Sequence, residues 1–213
     1  MQAIEKIDIS SDWVTLTFII LLIIIFLLKG LNGTKLREYF FAFFNKGFIQ
    51  SEVEERTSFF NLFSFTIFSF TVLNFGLLIF FLITQFFNIN ILSASFFKKT
   101  ALVIFSYLII KWTLEYLFSK LFSIQNQITF FLKSKNIYSY TLSLWIFPLL
   151  IVFFYTDFDK KIILIIIALL GVLKFLLLLI NNKNLILNKL FYFMLYICAF
   201  EIAPIFVLFK LIF

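Results

Sequence analysis

The chain has 213 residues, of which 63% are hydrophobic and 14% charged, with a mean hydropathy of +1.08; a soluble domain is roughly 45–50% apolar and about 25% charged. It contains no His, which excludes imidazole haem ligation, His-based zinc sites and His general bases. Its net charge of +7 is not gathered into a basic domain with interleaved aromatics, so nucleic acid is not an expected partner.

The apolar residues fall in runs near the length that crosses a hydrocarbon core of about 30 Å. The lipid bilayer is therefore the first expected partner. The fold expected is all-α, a polytopic bundle of about six transmembrane helices with one amphipathic interfacial helix, forming a single membrane domain over 1–213. The 36 Phe accompany a general excess of Ile, Lys and Asn, the mark of an AT-rich coding sequence, and are expected to pack or face lipid rather than form a ligand box.

The first expected span is 13–28. It follows Glu5, Asp8 and Asp12 and ends Lys29-Gly30-Leu31-Asn32, whereas a cleaved signal needs a basic front and a small-residue cleavage site. It is expected to be retained.

An elbow at 34–57 comes next, the one sizeable polar region. Leu36, Phe40, Phe43 and Phe44 recur at helical spacing, with Lys35, Glu38, Ala42 and Asn45 on the other side, the pattern of a helix lying in the membrane interface. Gly47 is expected to break it. Ser51-Glu52-Val53-Glu54 matches a capping box, so a new helix is expected there, running on into the second span. The elbow serves either as a solvated joint or, through Leu36, Arg37, Phe40, Phe43 and Phe44, as a surface for lipid and a cytoplasmic partner.

The second span, 60–87, carries Asn74, and the third, 100–118, carries Tyr107, Lys111 and Glu115 at four-residue intervals. Lys111 and Glu115 can partly neutralise each other across one turn. The fourth span is 137–155. The fifth, 162–180, holds Lys174 near its end, where the side chain can snorkel to the interface.

The sixth span, 188–208, holds the most informative polar residue. Glu201 lies near its middle, where an ionisable group costs roughly 2.5–3.5 kcal/mol and usually faces a bundle interior or cavity. Ala199 and Ala203 make a small-xxx-small face roughly opposite it. Pro204 removes a donor to the carbonyl of Phe200 and is expected to kink the helix beside Glu201. At that depth the level partners for Glu201 are Asn74, Ser106 and Tyr107, and burial without a cation favours the protonated acid. Glu201, Lys111, Glu115, Asn74, Ser106 and Tyr107 thus form a candidate buried polar network. Cys198, the lone Cys, lies in the same apolar helix and is expected to act as a small hydrophobe.

No catalytic, cofactor-binding or metal-ligating constellation is apparent. Lipid phosphatases and rhomboid-type proteases require His, and Asp157 and Asp159 stand beside Lys160 and Lys161 in a short turn rather than a metal site. Loops one, three and five hold ten Lys and Arg against six in the N-terminal segment, loops two and four and the C-terminal end, which predicts both termini outside.

The stretch Arg37 to Arg56 with its Ser/Phe-rich sequel, Leu108-Ile109-Ile110-Lys111-Trp112, Phe147-Pro148-Leu149-Leu150, and the ending Tyr196-Ile197-Cys198-Ala199-Phe200-Glu201-Ile202-Ala203-Pro204 with Lys210 resemble one family over nearly the whole chain. It is a multi-pass inner-membrane family of Bacteroidota carried as a domain of unknown function. The resemblance implies that Lys111, Glu201 and Pro204 are pattern positions and that the protein sits in a bacterial inner membrane. The expected function is a non-enzymatic membrane component that assembles with other envelope proteins and needs no cofactor. The alternative is a small transporter or proton conductor using Glu201.

Overall fold

A computed structural model of the protein describes residues 12–54, 61–87, 94–121, 125–156 and 159–181. The expected sixth span, with Glu201 and Pro204, lies outside them. Among the described residues the regular structure is helical: α1 (Asp12–Phe40), α2 (Lys46–Glu54), α3 (Leu62–Phe87), α4 (Ala94–Leu121), α5 (Gln125–Tyr155) and α6 (Lys160–Asn181). Within these residues four stretches are long and apolar enough to cross a membrane: Trp13–Phe40, Leu62–Ile83, Phe130–Tyr155 and Lys160–Asn181. The all-α membrane architecture expected from composition is the one the chain adopts. The expected third span, 100–118, falls inside α4.

α1 is two helical pieces joined at one residue. About twenty residues at 1.5 Å each cross a core of about 30 Å, which carries the chain from Trp13 to about Asn32. There the backbone turns extended (φ −161°, ψ 91°). The Asn32 Oδ1 accepts the Lys35 amide at 3.0 Å and the Thr34 hydroxyl at 2.8 Å. That is an N-cap, which supplies an acceptor to an otherwise orphaned donor and restarts the helix.

A second Asn starts α2. The Phe48 amide donates to Asn45 Oδ1 at 3.2 Å, so the helix begins before the expected Ser51-x-x-Glu54 box. Ser51 instead lies within α2 and donates to the Phe48 carbonyl at 2.9 Å. Asn and Ser cap about equally well, and the earlier of the two wins. The elbow helix ends at Phe40, ahead of the break expected at Gly47, and Gly47 sits in the first turn of α2.

α3 is the centre of the bundle, packing on α1, α4 and α5, and α5 in turn carries α6. Trp13 at the start of α1 meets Phe80 near the end of α3 edge-on at 5.1 Å and Phe97 of α4 at 4.9 Å. At the other end Tyr39 meets Phe63 at 5.7 Å and Tyr140 at 6.0 Å. α1 therefore runs antiparallel to α3 and α5. Tyr138 of α5 accepts a hydrogen bond from Asn181 at the end of α6, so that pair is antiparallel too. The end of α1, α2, and the starts of α3 and α5 thus share one end of the bundle with the end of α6.

Phe70, Leu77, Phe80, Ile146 and Leu150 fill the interior at 1% exposure or less. Gly76 of α3 faces Ala101 of α4, and a Cβ there would meet the Ala101 Cβ at 3.7 Å, an ordinary contact. Small-on-small packing of this kind supplies dispersion contacts where lipid removes the hydrophobic drive between helices. The opposite faces of α1, α4 and α6 leave Phe26, Leu102, Ile165 and Leu169 exposed.

Candidate functional site

The elbow is fastened to α5 residue by residue. Helices end with carbonyls that lack intrahelical donors, and two of these at the end of α1 are met by α5 side chains. Thr141 Oγ1 donates to the Tyr39 carbonyl at 2.9 Å, and Trp145 Nε1 donates to the Phe40 carbonyl at 3.0 Å. The Phe40 ring stacks on Trp145 at 5.1 Å and 17°, and Phe43 stacks on Tyr138 at 6.1 Å and 18°. Lys133 Nζ caps the far end of α2 by donating to the Val53 carbonyl at 2.9 Å. Between the two helices Lys35 pairs with Glu52 at 2.7 Å, and Tyr39 Oη donates to the same carboxylate at 3.1 Å.

This changes the role of the expected aromatic face. Leu36 and Phe40 are half-buried and Phe43 is buried, all against the protein core rather than spread on a lipid interface. Ala42, expected on the polar side, is 1% exposed. The cause is local: the helix stops at Phe40 and residues 41–44 form a turn, so helical spacing no longer relates Phe43 to Phe44. Phe44 keeps one tilted contact with Trp145, at 6.4 Å, but is 76% exposed, and Phe41 is exposed as well.

The outer side of the elbow carries an open groove of about 340 Å³ lined by Thr34, Arg37, Glu38, Phe41 and Asn45. Arg37 and Glu38 are exposed. Among the described residues neither side chain forms an ion pair with the other or with any neighbour.

The candidate intramembrane network is placed in part. Asn74 is fully buried on α3 and bonds to α5, its Nδ2 donating to the Ser143 carbonyl at 2.5 Å and approaching Ser143 Oγ at 3.4 Å. Its Oδ1 meets no donor among the described residues. On α4, Lys111 Nζ approaches Tyr107 Oη at 3.4 Å and lies 5.7 Å from the centre of its ring. Ser106 is exposed and donates to the Val103 carbonyl at 2.9 Å, within its own helix. Glu115 is one turn beyond Lys111 on α4. The described residues therefore hold two polar groups, Asn74–Ser143 between α3 and α5 and Tyr107–Lys111 on α4, while Glu201 and Pro204 lie outside the described residues. Lys174, expected to snorkel, donates to Ser139 Oγ on α5 at 2.8 Å.

Thr141, Trp145, Lys133 and Ser143 escaped the sequence reading. The available signal was weak: a Trp and two small hydroxyl residues within an otherwise apolar span, and a Lys just before it.

A family model described as "Domain of unknown function (DUF4271)" matches residues 14–212. The chain belongs to this family. No curated protein and no solved structure matches it.

Proposed function

We propose that this DUF4271 member is a non-enzymatic integral protein of a bacterial inner membrane, and that it assembles with other membrane proteins of the envelope. Both termini are periplasmic and the elbow is cytoplasmic, as the ten-to-six distribution of Lys and Arg favours. One observation carries the assembly reading. The elbow is held on α5 by three carbonyl-directed hydrogen bonds and two aromatic stacks, yet it presents Phe44 at 76% exposure, with Lys46 and Gln50 exposed as well. A segment that merely joined two spans would need no such fastening. An exposed aromatic flanked by polar groups on a rigid base has the character of an interface centre with its rim. Of the surface expected to meet a partner, Leu36, Phe40 and Phe43 serve internal packing, so Arg37 and Phe44 are what remain, and Phe44 is its apolar part. Gentle solubilisation and affinity capture of the full-length protein test this. A partner at fixed stoichiometry, lost in Phe44→Ser, supports assembly; an unaltered monomer or homodimer contradicts it.

A second reading, a proton or solute path using Glu201, draws on Asn74. A buried acceptor without a donor costs about 1–3 kcal/mol, and a protonated Glu201 would supply that donor. Dissipation of a proton gradient in liposomes by the purified protein, abolished by Glu201→Gln, is the result that would favour it over assembly.

A further inference from the structure

We infer that the groove lined by Thr34, Arg37, Glu38, Phe41 and Asn45 binds the zwitterionic headgroup of a phosphatidylethanolamine-type lipid. The inference rests on the membrane placement of α1 and not on the assembly reading.

The groove lies at headgroup depth. It opens just past Asn32, where α1 has used the length needed to cross a hydrocarbon core of about 30 Å. Phe41 is 47% exposed at its wall. A volume of about 340 Å³ admits a headgroup but not a helix.

The charges specify the ligand. Arg37 and Glu38 offer one cation and one anion to the same small space, and among the described residues neither is neutralised by the protein. A guanidinium binds phosphate oxygens bidentately, and a carboxylate accepts from an ammonium. Phosphoethanolamine carries a phosphate and an ammonium two carbons apart, so a single headgroup answers both. Asn45 spends its Oδ1 on the Phe48 amide, which leaves its Nδ2 as a further donor towards phosphate. An anionic phosphatidylglycerol would satisfy Arg37 and leave Glu38 facing a negative headgroup. A choline headgroup would offer Glu38 no N–H at all.

The experiment is native mass spectrometry of the full-length protein extracted with an equimolar mixture of phosphatidylethanolamine, phosphatidylcholine and phosphatidylglycerol. A charge-assisted hydrogen bond of about 1.5–3 kcal/mol corresponds to about tenfold or more in retention. Wild type is therefore expected to retain ethanolamine lipid over choline lipid by about that factor. Glu38→Gln should bring this ratio close to one, and Arg37→Gln should lower both zwitterionic lipids together. The ratio is read on one folded population, so partial misfolding cannot imitate it. Preferential retention of phosphatidylglycerol, or an ethanolamine-to-choline ratio unchanged in Glu38→Gln, would overturn the inference. Glycerophosphoethanolamine, which lacks acyl chains, should fail to displace the lipid at equal concentration; displacement would refute the lipid assignment. Partner capture is measured separately, so the failure of either proposal is recognisable on its own.

Discussion

Trp145→Phe is the sharpest perturbation of the elbow. It keeps an aromatic ring for Phe40 to stack on and removes one atom group, the indole N–H that donates to the Phe40 carbonyl at 3.0 Å. That carbonyl closes α1 and has no other donor among the described hydrogen bonds. The loss is one net hydrogen bond, about 0.5–1.5 kcal/mol, plus part of the cost of an unsatisfied half-buried acceptor, for a total of about 1–2 kcal/mol. The elbow opens locally rather than with the whole bundle, so the change acts on a local opening equilibrium. When cleavage follows the open population, about 1–2 kcal/mol becomes roughly a 5–30-fold increase in rate. The assay is limited trypsin digestion of the protein in vesicles with the elbow facing out, following cleavage at Arg37 and Lys46. Trp145→Ala also removes the Phe40 stack and the contacts to Phe43 and Phe44, and should exceed Trp145→Phe. A change under about twofold in Trp145→Phe would mean that the indole does not hold the elbow.

Three further outcomes follow from the same geometry. Glu52→Ala removes the carboxylate that Lys35 pairs with and that the Tyr39 hydroxyl donates to; it should cost about 1–3 kcal/mol and speed amide exchange in α2, with Glu52→Gln milder. Asn74→Leu removes one interhelical hydrogen bond of about 0.6 kcal/mol on the average for membrane proteins, and should shift the melting temperature little. Asn74→Asp sets a carboxylate against the Ser143 carbonyl, and a melting temperature equal to that of Asn74→Leu would show that Asn74 does not occupy that contact. If Glu201 is structural, Glu201→Gln should leave protein level and growth unchanged while Glu201→Leu lowers the level; loss of function in Gln at a normal level would assign it to proton movement.

Composition made the membrane architecture readable because length and hydropathy are properties of each segment alone. The helix starts were harder. Asn32 and Asn45 cap their helices through contacts three residues away, and such signals compete with Ser51-x-x-Glu54 on nearly equal terms. α5 begins at Gln125, earlier than the expected 137. The polar run Lys133-Ser134-Lys135-Asn136 reads as a loop, yet Ser134 and Lys135 are buried in the helix. The aromatic face of the elbow was correctly placed on a helical pattern only as far as Phe40, and its partner was not legible. An apolar face looks the same whether lipid or protein covers it, and the covering residues Tyr138 and Trp145 come about a hundred residues later. Asn74 was visible as a polar group in a span, but its bond to Ser143 was equally remote in sequence.

Photo-crosslinking from Phe44 tests the assembly proposal most directly. A benzophenone amino acid would replace Phe44 in one culture and Phe26 in another. Both positions are exposed, at 76% and 75%, but Phe26 lies within the first membrane-spanning run. The account predicts a single protein adduct of defined mass from position 44 and lipid adducts alone from position 26. Lipid adducts alone from both positions would contradict it.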